Sequence, residues 1–567
     1  MVAFLSSPTG LAVVASAAVA GAAILSLLFR RVFLAESEGG VGSGDSTGAA
    51  PPGAALAGLL AATAFLVPLV FTIASADVFV LPKLTALRVA LLVGLALFGL
   101  GRRWLNSGSP TLALRIVDLA VMGYAALTCI ATIASIDSGR SLVGSAEQYQ
   151  GLLTTLLYVA FFYFARAAMG TPLRLGVLAG AIIAGGTIVG GYAILQQFKL
   201  DPIWNTLDKG RVFSTIGQAE WLGAYLVICL ALGAGLLWQV RASWRWAALA
   251  SLGIILVALL LTLSRGAYLG AGVAALVFAI AMIPNAHPSR RWLAALPILA
   301  VVAGAALLLP PVRDEAQVIA SRAASTTDLS EGSIADRLDL WQVGAEIAID
   351  HPLLGTGPET YTQIFPQYRD RMPESRRSFW LAYSPESPHN VYLAVADGAG
   401  LPALATYLVL IGAILLELGR TCRRSRDLAA RAMLAALLAA AAGYLVTDLF
   451  MTADVTGSWL VWLLLGAVVG YAEGVADALT QSLAIGSQNR ETNPAFAVDT
   501  LSGRRAGLTS LPASSGIDLR PASGPLNLGG WLGRPNRAFR SLPGGGVPLF
   551  RRSSGERVRD WAARHSD

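Results

Sequence analysis

The sequence predicts an all-α polytopic membrane protein of about 12–13 transmembrane helices, with one large external loop containing short helices. Three observations predict it. Only 14% of the 567 residues are charged and 55% are hydrophobic, where soluble domains are about a quarter charged. Apolar runs of about 17–22 residues recur, long enough to span a bilayer at ~1.5 Å per residue. Basic residues alternate between the connections on the two sides. A disordered or nucleic-acid-binding chain is excluded by composition, despite a net charge of +7 and a pI near 9.4.

Candidate spans lie near 10–29, 55–74, 85–100, 116–134, 150–166, 174–194, 220–239, 246–263, 266–283, 292–309, 401–418, 431–449 and 457–475. Helices are the expected form, because a span must satisfy its own backbone hydrogen bonds. The first stretch has no basic start and no small-residue cleavage site before Arg30. It reads as a retained helix rather than a signal peptide. Cys129, Cys229 and Cys422 show neither a disulfide framework nor a zinc spacing.

One alternating set of loops holds 16 basic residues, among them Arg30, Arg102, Arg166, Arg241, Arg290 and Arg423. The opposite set holds 7: Lys83, Arg88, Arg140, Lys199, Lys209, Arg211 and Arg265. The larger set is expected to be cytoplasmic. That orientation puts the N-terminus outside and the C-terminus inside, and the expected location is the cytoplasmic (inner) membrane, multi-pass. It also puts the long hydrophilic segment outside.

The domain plan follows. Residues 1–54 form an extra helix and polar linker, and 55–309 the spans before the large loop. Residues 310–400 form the external loop, 401–477 the last spans, and 478–567 a disordered basic tail on the cytoplasmic side. Positions 310–390 carry 7 Arg against 12 Asp and Glu, a net −5. The tail carries 12 Arg against 6 acids, a net +6, and is rich in Gly, Pro and Ser. Contact of its arginines with anionic lipid headgroups is one reading. A solvated tail is the plainer one.

Span interiors are nearly free of charge. A transporter or lipid-linked glycan exporter would show charges through the membrane depth and paired halves with broken helices. Polar chemistry gathers instead in four external pieces. The first is the turn Ser264-Arg265-Gly266-Ala267. It places an arginine at the membrane surface with glycine beside it, so that little bulk obstructs access. Simple snorkelling is the alternative. The second is an amphipathic helix, with Ile334, Leu338, Trp341, Ala345 and Ile349 at helical spacing. Arg337 and Trp341 lie at i and i+4 and can touch.

The third piece, His351-Pro352-Leu353-Leu354-Gly355-Thr356-Gly357, ends that helix in a turn. His351 suits a capping role there more than catalysis. The fourth is Ser387-Pro388-His389-Asn390, running on to Asp397 and Gly400. A histidine near its unperturbed pKa can take a proton from an attacking hydroxyl. A plain surface histidine is the alternative.

Together these motifs resemble the bacterial O-antigen ligase and O-antigen polymerase superfamily of membrane glycosyltransferases. The resemblance covers about 55–475. Asp77…Pro82-Lys83, Ser141-Leu142-Val143-Gly144…Gly151 and Arg211-Val212-Phe213-Ser214-Thr215-Ile216-Gly217 also look like the family's external loops. Two departures stand out. Where many members read Gly-Asn-Pro-Asn, this chain has Gly217-Gln218-Ala219-Glu220. The family's Glu before the glycine pair is Asp397 here.

The resemblance implies an inverting, metal-independent transfer of a glycan from a polyprenyl diphosphate carrier on the outer face, with no cofactor. The acceptor would be a lipid-core sugar for a ligase, another glycan for a polymerase, or a protein hydroxyl for a related oligosaccharyltransferase. By motif, His389 would be the general base. Arg265 and Arg337 would hold the diphosphate, with Arg211 a third candidate. Asn390, Asp397 and Gly400 would support them. Forked guanidinium donors suit a leaving group whose charge grows as the bond breaks. The other partner is the bilayer around the carrier's isoprenoid tail. From other classes, the alternatives are a lipid-linked glycan exporter and a non-catalytic scaffold.

Overall fold

In a computed structural model, residues 52–100, 112–282 and 332–492 are described, with 76, 202, 204–206, 208–209, 373 and 382–383 excepted. All of them fall in one compact unit, Met1–Leu526; the second unit, Asn527–Asp567, lies outside the described residues. They form α1 Pro52–Leu66, α2 Val80–Leu100, α3 Leu112–Ile133, α4 Ser138–Val143, α5 Leu152–Ala168 and α6 Pro172–Gln197. These are followed by α7 Ala219–Leu236, α8 Arg245–Leu261, α9 Arg265–Met282, α10 Gly332–Asp350 and α11 Tyr361–Arg369. The last are α12 Glu374–Trp380, α13 Val391–Ala399, α14 Leu401–Arg424, α15 Leu428–Thr447 and α16 Val455–Thr492.

The all-α membrane architecture stands. Among the described residues, nine helices are long and apolar enough to cross a membrane, and two shorter apolar ones, Gly53–Leu69 and Leu152–Ala168, accompany them. Eleven of the expected spans therefore fall on helices. Those at 10–29 and 292–309 lie outside the described residues. The last helix runs on to Thr492, past the boundary read at 478. Residues 478–492 are rich in Ala, Leu, Gln and Ser, which extend a helix easily, and Pro494 disfavours helix at the residue before it.

The bundle is drawn together by small residues, as membrane helices require. Gly466, Gly470 and Gly474 of α16 lie one turn apart against the backbone oxygens of Phe162, Arg166 and Gly170, where any Cβ would collide. At the end of this contact Arg166 clamps Glu473 through two nitrogens, at 3.0–3.1 and 2.6 Å, and also pairs with Asp118. Gly270 of α9 meets the backbone of Gly443 in α15 in the same way.

The extramembrane helices have a core of their own. Leu340, Val343 and Ile347 of α10 pack on Tyr361, Phe365 and Trp380. Asp339 accepts from Arg376 Nε at 2.7 Å and from Trp380 Nε1 at 3.0 Å, which fixes α12 on α10.

Candidate functional site: an arginine and histidine cluster

Five chain segments build the site, and each is held by its own local chemistry. Arg211 stands on the 210–217 segment. Ser214 takes a left-handed backbone there, with φ 52°. Gln196 Oε1 accepts from the Ser214 N–H at 2.7 Å, and Ser214 Oγ donates to the Val189 carbonyl at 2.7 Å. Thr215 Oγ1 donates to the Pro68 carbonyl at 2.7 Å. Lys83 Nζ donates to the Thr215 carbonyl at 2.7 Å and to the Phe79 carbonyl at 3.1 Å.

Lys83 is thus a correction to the loop-charge reading. It lies inside α2 and is only 1% exposed. Its side-chain nitrogen satisfies one backbone carbonyl of the Arg211 segment and one a turn before it in its own helix entry.

Arg265 is the first residue of α9. The preceding turn is sharp: Leu263 has φ 50°, and Ser264 Oγ accepts from the Ala267 N–H at 3.3 Å. Arg211 Nε donates to the Thr262 carbonyl at 2.9 Å, tying the two arginine-bearing segments together. Gly266 does not leave open space. A Cβ there would meet Phe450 Cβ at 3.0 Å, so the glycine admits the 448–454 turn instead of a substrate.

Arg337 projects from α10. Trp341, one turn along the same helix, packs on Phe450 with ring centroids 5.9 Å apart. Arg337 Nη2 reaches Glu220 Oε1 at 3.3 Å. Arg211 Nη1 reaches the same oxygen at 3.2 Å. Gln218 Nε2 holds the other oxygen at 3.0 Å. A charged pair beats a cation–ring contact where the carboxylate is within reach and largely shielded from water.

His389 precedes α13 and also has a left-handed backbone, with φ 50°. Its N–H donates to Ser387 Oγ at 3.2 Å. Asn390 caps α13, its Oδ1 accepting from the Tyr392 and Leu393 N–H groups at 3.0 and 3.1 Å. That gives Asn390 a definite job: it fixes the helix start from which His389 is presented. Burial lowers the His389 pKa; the charge of Glu220 raises it and that of Arg337 lowers it further. Burial also lowers the Arg337 pKa, with Glu220 opposing and Arg211 and Arg265 adding to the effect. All four predicted charged residues are therefore electrostatic neighbours.

Asp397 and Gly400 stand apart from this cluster. Gly400 has φ 87°, and a Cβ there would collide with the Leu353 backbone; it turns the chain from α13 into α14. The 351–357 turn lies against this corner, with the Thr356 N–H donating to the Asp397 carbonyl at 2.8 Å and the Gly357 N–H to the Gly398 carbonyl at 2.9 Å. His351 follows the last residue of α10, its backbone N–H bonded to the Ile347 carbonyl at 2.9 Å.

Behind the His389 segment lies a cavity of about 110 Å³, bounded by Ser387, Pro388 and Val391. Asp397, Asp448 and Glu359 line it with Gln150, Tyr158 and Tyr444. Asp397 Oδ2 and Asp448 Oδ1 have no hydrogen-bond partner among the described residues. Burial first, then Glu359, holds Asp397 well above the usual carboxylate range. Burial, then Asp454, does the same for Asp448.

Sequence reasoning missed Glu220. The acid was noted only as a departure from a family pattern. An acid in the first turn of a helix, nine positions after an arginine, was the available signal.

The fold and site define a polytopic all-α membrane protein that gathers three guanidiniums and an imidazole where helices meet extramembrane segments. Within that class, residues 250–408 match the family model described as O-antigen ligase, which supports the likeness to the O-antigen ligase and polymerase superfamily and a glycan-transfer, ligase-type membrane enzyme. The matched stretch contains Arg265, Arg337 and His389; Arg211 and Glu220 precede it. No curated protein matches the chain. A chain from a solved structure described as "Structural coordination of polymerization and crosslinking by a peptidoglycan synthase complex" aligns over 63% of this chain and 96% of its own, at 16% identity and a TM-score of 0.33. That likeness is too low to carry an argument about fold or function.

Proposed function

We propose that this protein transfers a glycan from a polyprenyl diphosphate carrier to an acceptor hydroxyl, with inversion, at the outer face of the cytoplasmic membrane. The observation that carries the reading is the convergence of Arg211, Arg265 and Arg337 beside His389. Arg337 is a partly buried cation whose charged form is disfavoured by desolvation and by two like-charged neighbours. Such a group gains from an incoming anion more than a solvated arginine would. Two helices, α9 and α13, also begin at the site, and helix starts favour negative charge.

The guanidiniums bind the diphosphate and meet the charge that grows on it as the bond to C1 breaks. His389, kept neutral by burial, accepts the proton of the acceptor hydroxyl as its oxygen attacks C1. One bond forms and one breaks at the same carbon, on opposite faces, which gives inversion. Polyprenyl diphosphate leaves with the electron pair. The carrier's isoprenoid chain would lie along the exposed apolar helix faces, in lipid. The loop charge bias supports the outer face and a cytoplasmic C-terminus.

Reconstitution tests this directly. Purified protein in liposomes is given a polyprenyl-diphosphate glycan and, separately, a lipid-core sugar, a second lipid-linked glycan and a hydroxyl-bearing protein. Transfer to one of them with release of polyprenyl diphosphate is expected. No release with any acceptor would sink the reading.

A further inference from the structure

Glu220 sits in the middle of the site that the proposed function uses. Its Oε1 lies 3.2 Å from Arg211 Nη1 and 3.3 Å from Arg337 Nη2, the position a phosphate oxygen would take between the same two forks. Its Oε2 is held by Gln218, not by a further cation. Its side chain is 18% exposed, so the contact is shielded but reachable. The segment beneath it is firmly anchored, through Gln196, Pro68 and Lys83, so Arg211 keeps its place whether or not Glu220 does. Glu220 stands in the first turn of α7, and three side-chain bonds let its carboxylate swing away from the guanidiniums.

We propose that Glu220 is an internal competitor for the diphosphate subsite, yielding to the donor and driving out the product. The proposal rests on the glycan-transfer reading above. In the free protein the carboxylate holds Arg211 and Arg337 at the spacing a phosphate needs. The donor displaces it. After transfer the carboxylate returns to the same guanidiniums and the product leaves.

The carboxylate also separates donor from product by charge. The donor diphosphate is esterified at both ends and has two ionisable oxygens. The product is esterified at one end only and has three. Repulsion from Glu220 grows with the ligand's charge, so it disfavours product more than donor. A site of arginines alone would hold the product more tightly than the substrate.

The test is Glu220→Gln, which keeps size and shape while removing the charge. Inhibition by added polyprenyl diphosphate is measured alongside kcat and KM for the donor. The inhibition constant is expected to fall about tenfold, in line with one removed charge at close range. KM and kcat should fall together, because release becomes slow. Glu220→Asp, which keeps the charge, should stay near the parent value. An unchanged or weaker inhibition constant in Glu220→Gln would overturn the proposal. Arg337→Gln is measured beside it. If Arg337→Gln leaves polyprenyl diphosphate inhibition unchanged, the diphosphate reading of the site fails; if Arg337→Gln weakens it while Glu220→Gln does not tighten it, Glu220 alone is wrongly assigned.

Discussion

The two sides of the 387–397 segment hold similar numbers of ionisable groups and use them in opposite ways. On one side, Arg211, Arg337 and Glu220 are charged and paired within 3.3 Å, with His389 beside them. On the other, Asp397 and Asp448 line a cavity, each with one carboxylate oxygen that has no hydrogen-bond partner among the described residues, and burial favours their neutral form. An ion pair stores charge that an incoming anion can reorganise. A buried neutral acid stores none and serves as a hydrogen-bonding wall. The comparison teaches that function here follows the electrostatic setting of each residue, since the acidic side would look equally catalytic from composition alone.

The most severe break of that contrast is His389→Ala. General-base catalysis contributes about 10²- to 10⁴-fold, and a loss in that range is expected in glycan transfer, with the protein still folded in the membrane. Transfer at the parent rate by the purified variant would remove the base from the mechanism. Next come Arg265→Lys and Arg337→Lys. Each keeps a positive charge and loses the fork, so a fall of about 10-fold or more is expected. Parent rates in both would show that point charge, rather than forked geometry, binds the diphosphate.

A pH profile sharpens the comparison further. Four groups face His389 or its neighbours: Glu220 from α7, Arg337 from α10, Arg265 from α9 and Arg211 from the preceding segment. Burial lowers the imidazole pKa, and a base works only when deprotonated. The rate is therefore full above that pKa and falls as pH drops through it. The acid limb should lie below the ordinary histidine value of about 6.5. Glu220→Gln should move it lower still, since the carboxylate raises that pKa. A limb at or above the ordinary value in single-turnover measurements would contradict the placement of His389.

Much of this was legible in the sequence, for identifiable reasons. Low charge density and run lengths gave the helices, because the bilayer imposes them. Arg265, Arg337 and His389 sit in local motifs that locate them at turns and helix ends. Glu220, Lys83 and Trp341 were not legible, because each takes its role from a distant partner. Lys83 reaches a carbonyl 132 positions away, and Arg337 a carboxylate 117 positions away. Trp341 is claimed by Phe450, which the small Gly266 lets approach. No spacing rule reveals such pairings.

The smallest expected effect tests the acidic side. If Asp397 is held as the neutral acid, Asp397→Asn replaces a carboxylic acid with an amide of the same shape, and glycan transfer should fall less than about threefold, far less than with His389→Ala. Stability carries the sharper reading. The folded pKa of Asp397 is raised above its unfolded value, so its contribution is fully present below about pH 4 and is lost as pH rises toward the folded value. The asparagine variant has no such titration. Relative to it, the parent protein should lose up to about 1.4 kcal/mol per pH unit as pH rises from about 4 toward that folded value. Thermal unfolding of both proteins in detergent across that range measures the difference. A flat difference would mean that Asp397 is ionised and satisfied, and the contrast between the two sides of the segment would disappear with it.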